Sequence, residues 1–334
     1  MRIIVDAFGG DNAPAEIVKG AVQAAQNDGH TVVLTGRQDE ILRVMREQQL
    51  PDAGIEIVDA PDVVDMHDEP KKILRELRRS SMAVGLDLLA EGKGDAFVSA
   101  SSTGALLMGA TFLVKRIKGV SRPAIGTVLP TAAGPCLLLD CGANAECRPE
   151  MLVQFAQMGS VYMSQVIGDG KPVTVGLVNI GTEDTKGGSL QLESYALLRQ
   201  QSGLDFIGNV EAREIPNGAA QVLVADGFTG NVILKLMEGT VGYLVGQIKD
   251  LFRAGLRTKL AYLLVKPGMA GFKKKLDVSE YGGAPLLGVS RPVIKAHGNS
   301  KAAAVRSAIR IAADFAASDA IATISRQMAP QEEG

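Results

Sequence analysis

No excess of charge of either sign marks this chain of 334 residues: 35 Lys and Arg stand against 37 Asp and Glu, a formal net charge of −2. Without a basic surplus there is no bulk attraction to nucleic acid, and any basic surface must be local. Potential metal ligands are scarce. The histidines are His30, His67 and His297 and the cysteines Cys136, Cys141 and Cys147, none with metal-like spacing, so no metal site is expected. The odd cysteine count, with no secretory leader ahead of the strand-like Arg2-Ile3-Ile4-Val5-Asp6, points to free thiols in a reducing compartment. No apolar run reaches about 18 residues, which excludes a membrane-spanning helix. The expectation is a cytoplasmic protein still able to touch a membrane surface. Three catalytic fingerprints are also missing: Gly-x-x-x-x-Gly-Lys-Ser/Thr for P-loop chemistry, a strand-linked Gly-x-Gly-x-x-Gly for a dinucleotide, and a Gly-x-Ser-x-Gly elbow for a serine nucleophile. No cofactor is expected.

What the chain does have is apolar bulk. Hydrophobic residues make up 46% of it, enough to bury a large core as one α/β unit or two subdomains. Short β-branched runs at Ile3–Val5, Thr31–Thr35, Ile55–Asp59, Ala96–Ser99, Pro135–Asp140, Val173–Asn179, Phe206–Ile207 and Gln221–Ala225 read as strands. Most are continuously apolar, as strands buried on both faces are. Helical patterns at Ala15–Asn27, Ile73–Glu91, Pro149–Ile167 and Leu190–Gln201 separate them. That rhythm predicts a three-layer α/β/α architecture with a mainly parallel sheet. With no low-complexity linker or internal repeat, residues 1–334 read as a single domain. The composition breaks only at 239–277, a helical excursion within it.

Several strand ends open into glycine- and hydroxyl-rich turns followed by helices. They are Asp6–Asp11, Ser99–Gly104, Asp140–Asn144, Asn179–Thr182 and Asp226–Asn231. Helix N-termini outside the carboxyl ends of parallel strands offer free N–H groups and a positive dipole end, a natural anion site. Helix capping requires the same residue types, but five such turns in one chain favour a phosphate or polyanion site. The candidate contacts are Asp6, Gly9, Gly10 and Asp11; Ser101, Ser102 and Thr103; Asn144; Asn179, Gly181 and Thr182; and Asp226, Thr229 and Gly230. Lys186, just beyond a strand end, is either a solvated loop lysine or a cation for phosphate or a developing oxyanion. Asn231, at a helix start, is either a cap or an amide donor to an acyl carbonyl. His297, in Lys295-Ala296-His297-Gly298-Asn299-Ser300, is either structural or placed for phosphate contact or proton transfer.

The same segments resemble, nearly end to end, the acyl-carrier-protein:phosphate acyltransferases of bacterial phospholipid synthesis. The resemblance is carried by Val5-Asp6-Ala7-Phe8-Gly9-Gly10-Asp11-Asn12-Ala13-Pro14, Leu139–Asn144, Gly176–Gly181 and Phe206–Glu211, then by Asp226–Asn231, Glu280–Pro285 and Pro292–Gly298. In order and spacing these blocks span roughly residues 1–312. Phe8 stands where that family usually has methionine, and Ser101-Ser102 where it usually has Gly-Asn or Gly-Ser. The resemblance implies a homodimer with a fold similar to isocitrate and isopropylmalate dehydrogenases and to phosphotransacetylase. It also implies a reaction in which an acyl carrier thioester and inorganic phosphate give acyl phosphate and free carrier. By the family pattern Lys186 and Asn231 carry catalysis, while the turn residues and His297 remain the candidates for binding phosphate or the acyl carrier. An enzyme of the phosphotransacetylase kind, acting on acyl-coenzyme A, is the second reading.

Between Lys249 and Lys275 eight bases (Lys249, Arg253, Arg257, Lys259, Lys266, Lys273, Lys274 and Lys275) face one acid, Asp250. Leu256, Leu260, Leu263 and Leu264 fall on one helical face, and Pro267-Gly268 is expected to break the segment into a hairpin. Such a stripe suits either dimer packing or an interfacial helix on an anionic membrane. The resemblance favours the membrane, because the family is peripherally membrane-associated. The same bases also suit an acidic acyl carrier protein.

Overall fold

The computed structural model describes residues 1–168, 173–275 and 282–329. Glu280, Tyr281, the last two residues of the 239–277 segment and the side chains of Lys273, Lys274 and Lys275 lie outside the described residues.

The first half of the chain alternates strand and helix: β1 (Arg2–Asp6), α1 (Ala15–Asp28), β2 (Thr31–Gly36), α2 (Gln38–Glu47), β3 (Ile55–Asp59), α3 (Ser81–Ala90), β4 (Ala96–Ser99) and α4 (Thr103–Gly109). Two strands then form a hairpin, β5 (Ala124–Thr131) and β6 (Gly134–Leu139), followed by α5 (Pro149–Tyr162), β7 (Thr174–Asn179), α6 (Ser189–Arg199), β8 (Asp205–Glu211) and β9 (Val222–Val224). Two long helices follow, α7 (Gly227–Arg253) and α8 (Leu256–Lys275). The chain then returns through β10 (Ala284–Leu287), β11 (Val293–Lys295), α9 (Ala302–Ala317) and α10 (Ala320–Met328).

Among the described residues these strands form one sheet, in the order β3-β2-β1-β4-β11-β10-β5-β6-β9-β7-β8. Side chains alternate across a strand, so each strand feeds two cores. Ile3, Val5, Val98 and Ile294 point to the layer of α1 and α9, which supply Val18, Ala21, Val305 and Ile309. Ile4, Phe97 and Val293 point the other way, to α3 and α4 through Met82, Leu86 and Leu106. Further along that second face Leu138, Val178 and Leu223 meet Leu234 of α7. The expected three layers are present.

Strand direction departs from a simple parallel sheet. β5 pairs antiparallel with both β6 and β10, and β10 pairs antiparallel with β11. The half-sheet β3-β2-β1-β4-β11 therefore runs opposite to β6-β9-β7-β8, each half being parallel within itself. The strands at this reversal, β5, β10 and β11, are those the sequence pattern did not single out. Two helical expectations also change. Ile73–Glu91 is not one helix: a 3₁₀ turn at Pro70–Leu74 precedes α3, whose start is set by Ser80 accepting the N–H of Ala83 at 3.3 Å. Nor does Pro267 make the hairpin; it lies inside α8, and the chain turns at Ala254-Gly255, where Gly255 N–H donates to Thr258 Oγ1 at 3.0 Å. No helix among the described residues is long and apolar enough to cross a membrane.

Phe97 is fully buried between β4 and α3. Phe97→Ala should cost roughly 3–5 kcal/mol in urea unfolding, and Phe97→Leu markedly less because it keeps most of the volume.

Candidate active site

The reversal divides the glycine-rich turns. The turns after β1, β4 and β11 meet at one end of the first half-sheet. Asp6 is buried there, its Oδ2 accepting from Ser99 Oγ at 2.7 Å and its Oδ1 from Phe8 N–H at 3.2 Å. Burial pushes its carboxyl above the ordinary range, against the pull of those hydrogen bonds. Asp6 thus organises the turn from behind. Gly10 has φ +100°, and a Cβ there would stand 2.7 Å from Gly298 O; without one, Asp11 N–H donates to that same oxygen at 2.8 Å. The first turn and the His297–Ser300 turn are stitched together in this way, with Asn12 Nδ2 also donating to Asn299 O at 3.0 Å. Ser101 and Ser102 are buried in the adjoining turn, and Thr103 is exposed at the start of α4.

The turns after β6 and β9 form a second group. Asp140 is fully buried; its carboxylate accepts the N–H groups of Ile125 at 3.0 Å, Ala143 at 3.1 Å and Asn144 at 2.6 Å, and the Asn144 amide at 2.9 Å. Desolvation raises its pKa, opposed by those donors. Asn144 spends its other donor on Pro123 O at 2.8 Å, so it braces the turn. Asp226 caps α7, accepting from Thr229 N–H at 2.9 Å and Thr229 Oγ1 at 2.7 Å, which occupies both of those candidate residues. At Gly230 a Cβ would lie 1.9 Å from Asp140 O, so only glycine lets α7 start this close to the Asp140 turn. Asn231, next in line, is exposed with its side chain against Gly142.

The loop bearing Lys186 leaves the carboxyl end of β7, the strand beside β9. Asn179 anchors it: its Nδ2 donates to Lys186 O at 3.0 Å, and its Oδ1 accepts from Ile180 N–H at 2.8 Å. Gly181 is buried under the Lys186 side chain and Thr182 is exposed. Lys186 itself reaches solvent, with Glu183 Oε1 at 3.8 Å. Lys186 and Asn231 therefore rise from the carboxyl ends of two adjacent parallel strands.

α7 spans from the second group back to the first. Past Asn231 it carries Lys235, paired with Glu238 at 2.8 Å, and Glu238 Oε1 stands 4.0 Å from His297 Nε2. Below them Lys295 ends β11. Burial, and after it the charge of Lys235, lowers its ammonium to about 8 against the opposing pull of Asp11 and Asp6. The sequence reading missed Lys295 and Lys235. The available signal was a lysine closing the apolar run Val293-Ile294, a position strand alternation assigns to the face of Val293.

Nothing here supplies a thiol nucleophile: burial pushes Cys136, Cys141 and Cys147 up to about 12, leaving them neutral. Among the described residues no group of three or more His, Cys, Asp and Glu could hold a metal ion. The candidate site is built of lysines, amides and backbone donors on an α/β fold.

That fold is shared with enzymes that handle acyl and phosphate groups. It superposes on the EutD phosphotransacetylase from Staphylococcus aureus with a TM-score of 0.62 at 19% identity, over 95% of this chain and 94% of that one. A 4-hydroxythreonine-4-phosphate dehydrogenase from Klebsiella pneumoniae gives 0.56 at 14% identity, over 95% and 99%. Residues 1–323 match the model of the family described as fatty acid synthesis protein, and the chain belongs to that family. It is 44% identical over 328 residues to a phosphate acyltransferase of Thermoanaerobacterium thermosaccharolyticum (98% of this chain, 97% of that one). Over 315 residues it is 47% identical to a phosphate acyltransferase of Alkaliphilus oremlandii (94% and 93%).

Asp140→Ala would leave the buried N–H groups of Ile125, Ala143 and Asn144 without that acceptor. At roughly 1–3 kcal/mol each, the expected loss in denaturant unfolding is about 3 kcal/mol or more.

Proposed function

We infer that this chain transfers a fatty acyl group from the thioester of an acyl carrier protein to inorganic phosphate, making acyl phosphate for phospholipid synthesis. The observation that carries the reading is relatedness along the whole chain to phosphate acyltransferases, at 44% and 47% identity. The chemistry of the site agrees with it. Phosphate supplies its own nucleophilic oxygen, and a thiol with a pKa of about 8.5 is a fair leaving group, so neither a Ser–His–acid triad nor a cysteine is needed. A phosphate oxygen attacks the thioester carbonyl carbon, the C–O bond forms, the C–S bond breaks, and the carrier thiolate takes up a proton. The enzyme must offset charge repulsion and fix geometry. Lys186 neutralises phosphate and the forming oxyanion; Asn231 donates to the acyl oxygen. Asn179 and Gly181 hold the Lys186 loop, and Asp226, Thr229 and Gly230 hold Asn231.

The second reading, transfer from acyl-coenzyme A, is favoured by the phosphotransacetylase fold. A groove beside the Lys186 loop, lined by Thr185, Leu192, Tyr195 and Arg199, suits the pantetheine arm that both thioesters carry.

The protein works in the cytoplasm as a homodimer held peripherally on anionic membrane. Leu256 and Leu264 of α8 are 80% and 85% exposed, and Leu260 and Leu263 lie bare beside them among basic residues. Each base near an anionic surface contributes about 1 kcal/mol. Phe228, Val232 and Leu236 form an exposed stripe on α7, which suits burial against a second copy.

Two outcomes are expected. Lys186→Ala and Asn231→Ala should each slow phosphate-dependent release of carrier thiol from palmitoyl acyl carrier protein about 100- to 1000-fold, with hydroxylamine-trappable product lost in step. Near-normal turnover would remove these assignments, and turnover confined to acyl-coenzyme A would favour the second reading. Replacing Leu263 and Leu264 by glutamate should release the protein from anionic vesicles in a flotation assay, and unchanged binding would overturn the membrane contact.

A further inference from the structure

The strand ends of the first half-sheet carry a polar row on an otherwise apolar face. β1, β4 and β11 are adjacent, with Val5 opposite Val98 and Lys295 opposite Ser99. By alternation Asp6, Ser99 and Lys295 share the face of Ile4, Phe97 and Val293, where α3, α4 and α7 pack. Asp6 and Ser99 satisfy each other at 2.7 Å. Among the described residues Lys295 has no such side-chain partner. Its Nζ donates to Ala296 O at 2.5 Å, and among the described residues no carboxylate lies within ion-pairing distance of it. Instead a second cation, Lys235, acts on it from α7, whose Glu238 stands 4.0 Å from His297, two residues beyond Lys295. Lys235 has Glu238 at 2.8 Å, whereas Lys295 has no ion-paired carboxylate among the described residues, so an anion between the two ammonium groups would relieve their repulsion.

The location matters as much as the charge. Lys295 faces Ser99 of a parallel neighbour on one side and Ala284 of an antiparallel neighbour on the other, so it stands where the sheet changes direction. Open α/β sheets bind ligands in the crevice outside the carboxyl ends of their parallel strands, and Lys295 stands at that end of β11 beside the end of β4. Asn231 and Lys235 are four residues apart, on one face of α7 and about 6 Å along its axis.

We propose that Lys295 and Lys235 form the binding site for the incoming inorganic phosphate, one helical turn from the acyl oxygen held by Asn231. The inference rests on the acyltransferase reading and adds the phosphate-binding residues to it. The charged groups acting on Lys295 are Lys235 from α7 and Asp6 and Asp11 from β1 and its turn; Glu238 pairs with Lys235 at 2.8 Å and lies 4.0 Å from His297. The bound oxyanion takes N–H donors from both ammonium groups. Lys295 binds in its charged form, so phosphate affinity should weaken as pH rises through about 8.

The test is steady-state kinetics of the full chain, varying phosphate and acyl carrier thioester separately. Lys295→Met should raise the KM for phosphate about 10- to 100-fold, the worth of one charged hydrogen bond, while the KM for the thioester holds. Lys295→Arg should regain part of the affinity and lose its decline above pH 8, because a guanidinium stays charged. Lys235→Met, at an exposed position, leaves the core packing untouched and should also raise the phosphate KM. An unchanged phosphate KM in Lys235→Met or in folded Lys295→Met overturns the proposal, as does an equal rise in both KM values. If the unaltered protein releases carrier thiol without needing phosphate, the acyltransferase reading fails first and the inference with it.

Discussion

The start of α7 is held from three sides. Asp226 caps it, Gly227 N–H donates to Asn144 O at 2.7 Å, and Gly230 lies close against the backbone of Asp140. Asp140 is in turn clamped by four donors. From that anchorage one continuous helix of 27 residues runs across the sheet face and out of the protein. Asn231, Lys235 and Glu238 take their positions from it, as does the α7–α8 hairpin with its exposed leucines. A small displacement at Gly230 would be carried along a stiff rod to all of them, which explains why the turn beneath it is braced so heavily.

The buried carboxylates and the lysines divide the labour. Asp6 and Asp140 are inside the fold, their pKa values raised by desolvation, and they fold the turns by accepting local donors. They leave the outer surfaces of those turns to neutral amides and to Lys186, Lys235 and Lys295. Burial keeps the cysteines protonated, so no thiol of this chain competes with phosphate as the nucleophile. Binding and orientation are what such a surface contributes to a reaction between a thioester and a phosphate ion.

Much of this was legible in the chain itself. Continuous apolar runs such as Ile3–Val5 and Ala96–Ser99 predicted buried strands, and α1, α5 and α6 follow their apolar spacing. The turn sequences after β1, β4, β6, β7 and β9 named the places where the chain is polar without being loose. Family membership was readable too, because the glycine-rich blocks answer close backbone approaches, as at Gly10 and Gly230, that few other residues tolerate.

Local sequence could not disclose the direction of the strands. Whether β6 runs with or against β1 depends on the pairing of β5, β10 and β11, and two of those contacts, β10 with β5 and β11 with β4, join residues more than a hundred positions apart. The reversal splits the turns into two groups and makes Lys295 a floor residue instead of the end of an ordinary strand. Which polar residues act as braces was equally hidden. Asp226, Thr229, Asn144 and Asn179 have the composition of ligand contacts, and only their tertiary partners show them engaged within the protein. Composition and periodicity decided the layers and the family, because they record burial and backbone need. The sharing of labour among the polar groups was decided by the tertiary structure, because the same residue types serve as caps, braces or ligand contacts and only the folded geometry fixes which partner each one takes.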